Sequence, residues 1–398
     1  MNIDPWRWCD GELDLQSLPA WVDRSIIETI QQELAVLGPW LSLGRIRSVT
    51  FALSNSTATH FTCYRTESSR WLCPVPVGLI VRLDYLCRLL ETYGSHQSIH
   101  MVDGFFHGFE DPEIAEKHAA RPLPVIIRNI VDKDLRGKDF WTKMITVDSQ
   151  FPTVDDKEVR AKLVDRVKYA LLYFCMHEAA HVFRMHDELI PLASTTAQGR
   201  RGAEVDADVT AGRYLSLYCQ ELDLDWRRRP FTDDDISEKC WTYSYGVCLV
   251  LGSFDIERYP LANFSSDDYL HPTARLMITL SESLYGWSAI IGRDVAKDCC
   301  YEPSARGSNA YIHRMDAYWI DCGVSQFHRP TALYFPFIPW APEELALSPF
   351  KEAAQTVPSL YTMYREAVLC RNAFEEIFEQ HIGYGDRAKS NAGHYFFR

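Results

Sequence analysis

From Asp155 to Pro191 the chain reads as one long helix. Apolar residues recur at Leu163, Val164, Val167, Leu171, Phe174 and Cys175, the three-to-four spacing of a buried helical stripe. Asp155 and Asp156 stand where a helix start is capped, and the spacing predicts an end soon after His186, before Pro191. A helix of this length and apolarity must lie at the centre of whatever the chain builds, so the rest of the fold is read around it. Its last third is YFCMHEAAHVFRMH, residues 173–186, which places three histidines on a core element.

The remaining pattern predicts an α+β fold, mostly helical. Spacing from Pro19 to Leu37 is helical. RIRSVTFAL (45–53) and THFTCYR (59–65) flank the small polar stretch SNSTA and read as a hairpin. Residues 70–93 read as a strand leading into a helix. Residues 94–155 carry Pro112, Pro122, Pro124, Pro152, Gly104 and Gly108, marks of loops, and supply His107 but no motif. Further helices are expected from about Ala203, over 236–257, and after His271-Pro272. The tail holds FPFIPWAPEE (335–344), read as a packed surface arm, and an amphipathic helix over 351–380. We divide the chain into an N-terminal α/β region with an insertion (1–150), a core (151–298) and a helical extension (299–398).

Bulk properties narrow the functional classes. The 398 residues are 47% hydrophobic and 24% charged, ordinary for a soluble globular protein. A net charge of -13 disfavours nucleic acid as a partner, and Arg227-Arg228-Arg229 is followed closely by Asp233-Asp234-Asp235. The most apolar windows, 163–176 and 241–254, are shorter than the ~20 residues of a membrane span, so no membrane role is expected. MNIDPWRWCDGELDLQSL lacks the basic start and apolar run of a secretory signal. Twelve cysteines without a CxxC pair, mostly in apolar runs, read as reduced thiols in a cytoplasmic protein.

His177-Glu178-Ala179-Ala180-His181 is an HExxH motif. Helical residues i and i+4 share a face, so both imidazoles reach one ion, while Glu178 sits beside it as a base. Zinc is the expected metal, and a catalytic zinc takes a third protein ligand. AEVDADVTAGRYLS (203–216) offers Glu204, with Asp208 on the same helical face to accept an N–H from a ligand histidine. Asp206 is the competing ligand. His186, five residues past His181 and about 140° round a continuous helix, is assigned a supporting role rather than direct ligation. His271, before Pro272, is a candidate to steady an oxyanion or hold substrate, or else a histidine bonded to backbone at a helix start.

Three segments in order carry a resemblance. HEAAHVFRMH, AEVDADVTAGRYL and LHPTARL together resemble the zinc peptidases of the HtpX type and, more closely, the soluble Lit-type phage-exclusion peptidases. The order of elements over 45–93 and the apolar helix at 241–256 are similar too. The resemblance implies a zincin-like core with zinc on His177, His181 and Glu204, and Glu178 as base. It also implies a cytoplasmic bacterial peptidase whose substrate is a protein such as elongation factor Tu, under control of a peptide or phage activator. Two positions differ. The family pattern has Arg six residues after the His of His-Pro, where this chain has Met277 and an earlier Arg275. It has Glu-Ala-Asp in the second helix, where this chain has Asp206-Ala207-Asp208.

The expected function is thus a zinc endopeptidase, with His271 or Tyr269 at the oxyanion. The alternatives are a catalytically silent zinc-binding scaffold or sensor, and a zinc hydrolase of a non-peptide amide.

Overall fold

The computed structural model describes residue 6 and residues 10–97, 123–148, 157–193, 197–224, 232–253, 272–321, 369–374 and 376–377. These residues are mostly helical, with one three-stranded sheet near the N-terminus.

Helix α1 spans Arg24–Ser42. It is capped by Asp23, whose carboxylate accepts the Ser25 N–H at 2.9 Å, so its first residue, Arg24, comes five residues after the start expected at Pro19. Ile26, Ile30, Leu34, Leu37 and Leu41 form its buried stripe, which lies on β1 (Ser48–Ser54).

The expected hairpin of 45–53 with 59–65 does not form. β1 pairs in parallel with β3 (Arg70–Pro76), in the register Val49↔Trp71 and Leu53↔Val75. The short β2 (Tyr64–Arg65) pairs antiparallel with β3 instead, Tyr64 opposite Leu72. A tight turn in which the Thr66 N–H donates to Arg70 O closes that hairpin. Parallel strands need a crossover of about a dozen residues or more. Here residues 55–69 supply it, and this crossover also forms one wall of the site described below.

β3 runs directly into α2 (Val77–Gln97), as its sequence predicts. Residues expected as loops contain two helices, α3 (Leu123–Val131) and α4 (Gly137–Asp148). Pro124 is tolerated because it falls in the first turn of α3, where its missing N–H has no partner to lose. His107 lies outside the described residues.

The central element is α5, Lys157–Phe183. Tyr169 to Tyr173 are buried in unbroken succession, so over this turn and a half the helix is apolar all round, as a helix enclosed by others must be; Cys175, Met176, Ala179 and Ala180 are buried beyond it. α2, α7 (Ala197–Tyr218) and α8 (Asp233–Ser253) pack on it. α9 (Pro272–Ile291) lies along α7, and after a short α10 (Arg293–Ala296), α11 (Glu302–Asp321) lies along α8. One cluster of buried side chains joins Leu18 to Met315.

α5 does not continue past His186. It stops at Phe183; Met185 takes a left-handed backbone, φ 58°, and His186 opens a separate helix, α6 (His186–Ala193), which contains Pro191. Tertiary contacts impose the break. Arg184 turns inward to Asp206, and the Arg45 guanidinium sits 4.4 Å from the centre of the Phe183 ring. Asp187 and Glu188 occupy the first turn of α6, where negative charge suits the helix dipole, and Arg47 pairs with both. α7 likewise begins at Ala197, a turn and a half before the expected Ala203, which puts Glu204 inside the helix rather than at its start. Residues 335–344 and 227–229 lie outside the described set, and only 369–374 and 376–377 of the expected 351–380 helix are within it. The described cysteines form no disulfide.

Candidate metal centre

His177 and His181, one turn apart on α5, present their Nε2 atoms 3.1 Å from each other. Glu204 of α7 faces both: Oε2 is 3.4 Å from His177 Nε2 and Oε1 is 3.7 Å from His181 Nε2. Donor atoms of these three residues lie within 4.8 Å of one another. Tetrahedral zinc with ~2.05 Å bonds would hold adjacent donors ~3.3 Å apart. The histidine pair and each histidine's approach to a Glu204 oxygen fall near that distance, so these three residues could hold a metal ion.

Buried charge supports the fit. Glu178, Glu204, Asp206 and Asp208 bring four carboxylates together. Two are matched by guanidiniums. Arg275 reaches Asp208 through Nε at 2.8 Å and Nη2 at 3.0 Å, and Arg184 reaches Asp206 at 2.7 and 3.0 Å. Glu178 and Glu204 face the histidines, with Arg275 acting on both through space. A divalent cation between these carboxylates and the histidines would offset their negative charge, which is costly to bury.

Asp208 also sets His177. Its Oδ1 lies 2.8 Å from His177 Nδ1, in an oblique approach better described as an ion-pair contact than as an aligned hydrogen bond. The Tyr173 hydroxyl donates to the same Oδ1 at 2.8 Å. Asp206 points away from the donor set, toward Arg184 and His186, so Glu204 and not Asp206 joins the histidines. The break after α5 returns His186 to His181, with the two Nδ1 atoms 2.7 Å apart.

The titration behaviour of these groups follows from burial and neighbours. Burial alone would lower His177, but Asp208 and a hydrogen bond that the ring donates to Glu204 outweigh it and raise it to about 10. Burial takes His181 down to about 3. Glu204 falls to about 2, because His181 and His177 overcome the burial that would raise it. Asp208 lies well below the usual carboxylate range, with burial outweighed by Arg275 and His177. Glu178 goes the other way: burial, helped by Glu204, raises it to about 7 against the opposing pull of His177.

Glu178 and the three donors line one cleft of about 620 Å³. The crossover over α5 forms part of its wall, with Phe61 against Phe174, ring centres 4.9 Å apart, and Thr62 bonded to Glu178. The Cys63 thiol donates to Glu178 O at 3.7 Å. Val250 and Leu251 add apolar surface, and Lys133 stands in the lining.

His271 and Tyr269 lie outside the described residues. Arg275, set aside in the sequence because it comes before the family's Arg position, is in the cleft lining and clamps Asp208. Tyr173 was missed although visible, one turn before His177 on the same face. Arg184 carries no sequence signal, since its role depends on where α7 runs. Among the described residues no helix is long and apolar enough to cross a membrane.

Compared with family models, with curated proteins and with solved structures, the chain finds no match.

Proposed function

We propose that this chain is a zinc-dependent endopeptidase with a zincin-like core, acting on a protein substrate. The observation that carries the reading is Glu178. A metal held only for structure needs no carboxyl group poised beside it, yet Glu178 shares the cleft with the three donors and is raised to about 7. A carboxyl group in that place can take up and release the proton of a neighbouring water.

Zinc held by His177, His181 and Glu204 would polarise the scissile carbonyl and make a bound water acidic enough to attack it near pH 7. Glu178 takes the proton of the attacking water and delivers it to the leaving amine. Asp208 holds His177, and Arg275 holds Asp208. Phe61, Phe174, Val250 and Leu251 give substrate side chains apolar surface to rest on. The oxyanion role of His271 or Tyr269 belongs to this proposal, as do the Lit-type kinship, the cytoplasmic setting, a translation factor such as elongation factor Tu as substrate, and an activating peptide or phage component.

The test compares purified wild type with Glu178→Gln for zinc content and for cleavage of proteins in a bacterial lysate, elongation factor Tu among them. Zinc near one per chain in both, with new protein termini from wild type alone, is expected. Cleavage that survives Glu178→Gln would refute the assigned base, and zinc uptake without any cleavage would favour the scaffold.

A further inference from the structure

His181 touches the rest of the protein through its second ring nitrogen. Its Nε2 faces the other donors, so a metal there needs that lone pair. The ring proton of neutral His181 then sits on Nδ1 and is donated to His186 Nδ1 at 2.7 Å. His186 accepts on Nδ1, so its own proton sits on Nε2 and is donated to Asp206 Oδ2 at 3.0 Å. Arg184 fixes the carboxylate at the end of this chain. Each proton position follows from the one before.

His186 is 1% exposed, and its other neighbour is unexpected. Phe374, nearly 190 residues on in sequence, sets its ring edge to face against the imidazole, centres 4.8 Å apart at 81°. Phe374 is fully buried with Leu189 and Ala203, and Met185 and Ile377 pack around them. α7 is built to receive it. A Cβ on Gly202 would meet Cys370 O at 2.4 Å and Phe374 Cβ at 2.6 Å, so only glycine lets this segment approach.

We propose that His186 and Phe374 are positioning residues of the metal centre. His186 fixes the Nδ1–H tautomer and ring orientation of His181, and the segment 369–374, wedged in by Phe374, holds His186 in place. The C-terminal region thereby completes a centre whose ligands all lie before residue 205. This rests on the metal-centre reading, not on peptidase activity.

Zinc affinity of the full-length protein, measured by competition with a chromophoric chelator, tests it. His186→Phe keeps the aromatic packing and removes the relay; it should weaken zinc ~10–100-fold, the usual cost of losing a hydrogen bond to a ligand histidine. Phe374→Ala should weaken zinc severalfold, with Phe374→Leu restoring most of the loss. In the His186→Phe background, Phe374→Ala should add nothing, because Phe374 acts through His186. Long-range nitrogen–proton spectra of ¹⁵N-histidine-labelled wild type should place the His181 proton on Nδ1 and the His186 proton on Nε2. Wild-type zinc affinity in His186→Phe, or equal losses from Phe374→Ala in both backgrounds, would overturn the proposal. Weakened zinc binding alongside a wild type that cleaves nothing would support it and sink the peptidase reading; unchanged binding alongside an active wild type would do the reverse. A wild type that takes up no zinc would overturn both.

Discussion

At Gly212 the backbones of α7 and α9 approach closely, and replacing it by alanine sets two effects of opposite sign against each other. In an unhindered helix interior, Gly→Ala gains about 1 kcal/mol. Here the new Cβ would lie 2.3 Å from the backbone oxygen of Thr279 and 3.3 Å from Glu282 Cβ. A backbone oxygen cannot swing aside, so the helices must part by about 1 Å to recover ordinary contact. Overpacking of this kind costs about 1–3 kcal/mol. The damage also spreads one turn along both helices, since Asp208 precedes Gly212 by four residues and Arg275 precedes Thr279 by four. A 2.8 Å Asp208–Arg275 contact lengthened by that amount stops being a hydrogen bond. Losing such a charge-assisted bond costs about 1.5–3 kcal/mol more. The steric and electrostatic losses exceed the propensity gain, so Gly212→Ala should be destabilised by about 2–4 kcal/mol. Urea unfolding of the chelated protein, followed by circular dichroism, measures it. Zinc competition should show weaker binding as well, because Asp208 orients His177. A variant as stable as wild type, or more so, would refute the close approach and the coupling drawn from it.

Tyr173→Phe removes one of the hydrogen bonds to buried Asp208 and should cost about 1.5–3 kcal/mol of stability, read by the same urea titration; no loss would show that Tyr173 has no part in holding Asp208. Zinc added to chelated wild type at a thousandfold above its Kd should raise unfolding free energy by about 4 kcal/mol, and an unmoved midpoint would remove the metal centre. Asp206 is held well below the usual carboxylate range, with burial outweighed by Arg184 and His186. A depressed carboxylate adds stability that is complete above its unfolded pKa and fades as pH falls through and below that value. Stability should therefore drop as pH falls below about 4, and more shallowly in Asp206→Asn, which starts about 3–5 kcal/mol lower because Arg184 loses its buried carboxylate. Parallel pH curves for the two proteins would count against this.

The parts legible in the sequence are those decided within one helix. His177, Glu178 and His181 follow from one turn of geometry, and so does the shared face of Glu204 and Asp208. β3 feeding α2 is equally local. Non-local choices were hidden. Residues 59–65 alternate as a strand should, but alternation does not name a partner, and β1 takes β3 in place of its sequence neighbour. Residues 184–185 hold neither glycine nor proline, so nothing local marks the break after α5. Arg45 and Asp206, far apart in sequence, draw the chain out of its helix there. His186 accordingly meets His181 across that break, not round a continuous helix.

The break also accounts for the spacing of the three acids on α7. Glu204 and Asp208 differ by about 40° round the axis and meet α5 together, whereas Asp206 stands about 200° from Glu204 and looks away. A carboxylate buried on that far flank has no partner on a straight α5. Ending α5 at Phe183 lets Arg184 and His186 pass round the flank of α7 and meet it there. One helix can then serve both histidines of the candidate metal centre from two sides: Asp208 sets His177 directly, and Asp206 reaches His181 through His186. The cost is a left-handed Met185, a strain of order 1 kcal/mol for a residue with a side chain. The two hydrogen bonds from Arg184 to a buried carboxylate outweigh it, at about 1.5–3 kcal/mol for each charged bond. The acid-x-acid-x-acid spacing of α7 and the interruption of α5 therefore act together: the break delivers Arg184 and His186 to the one acid that faces away from α5.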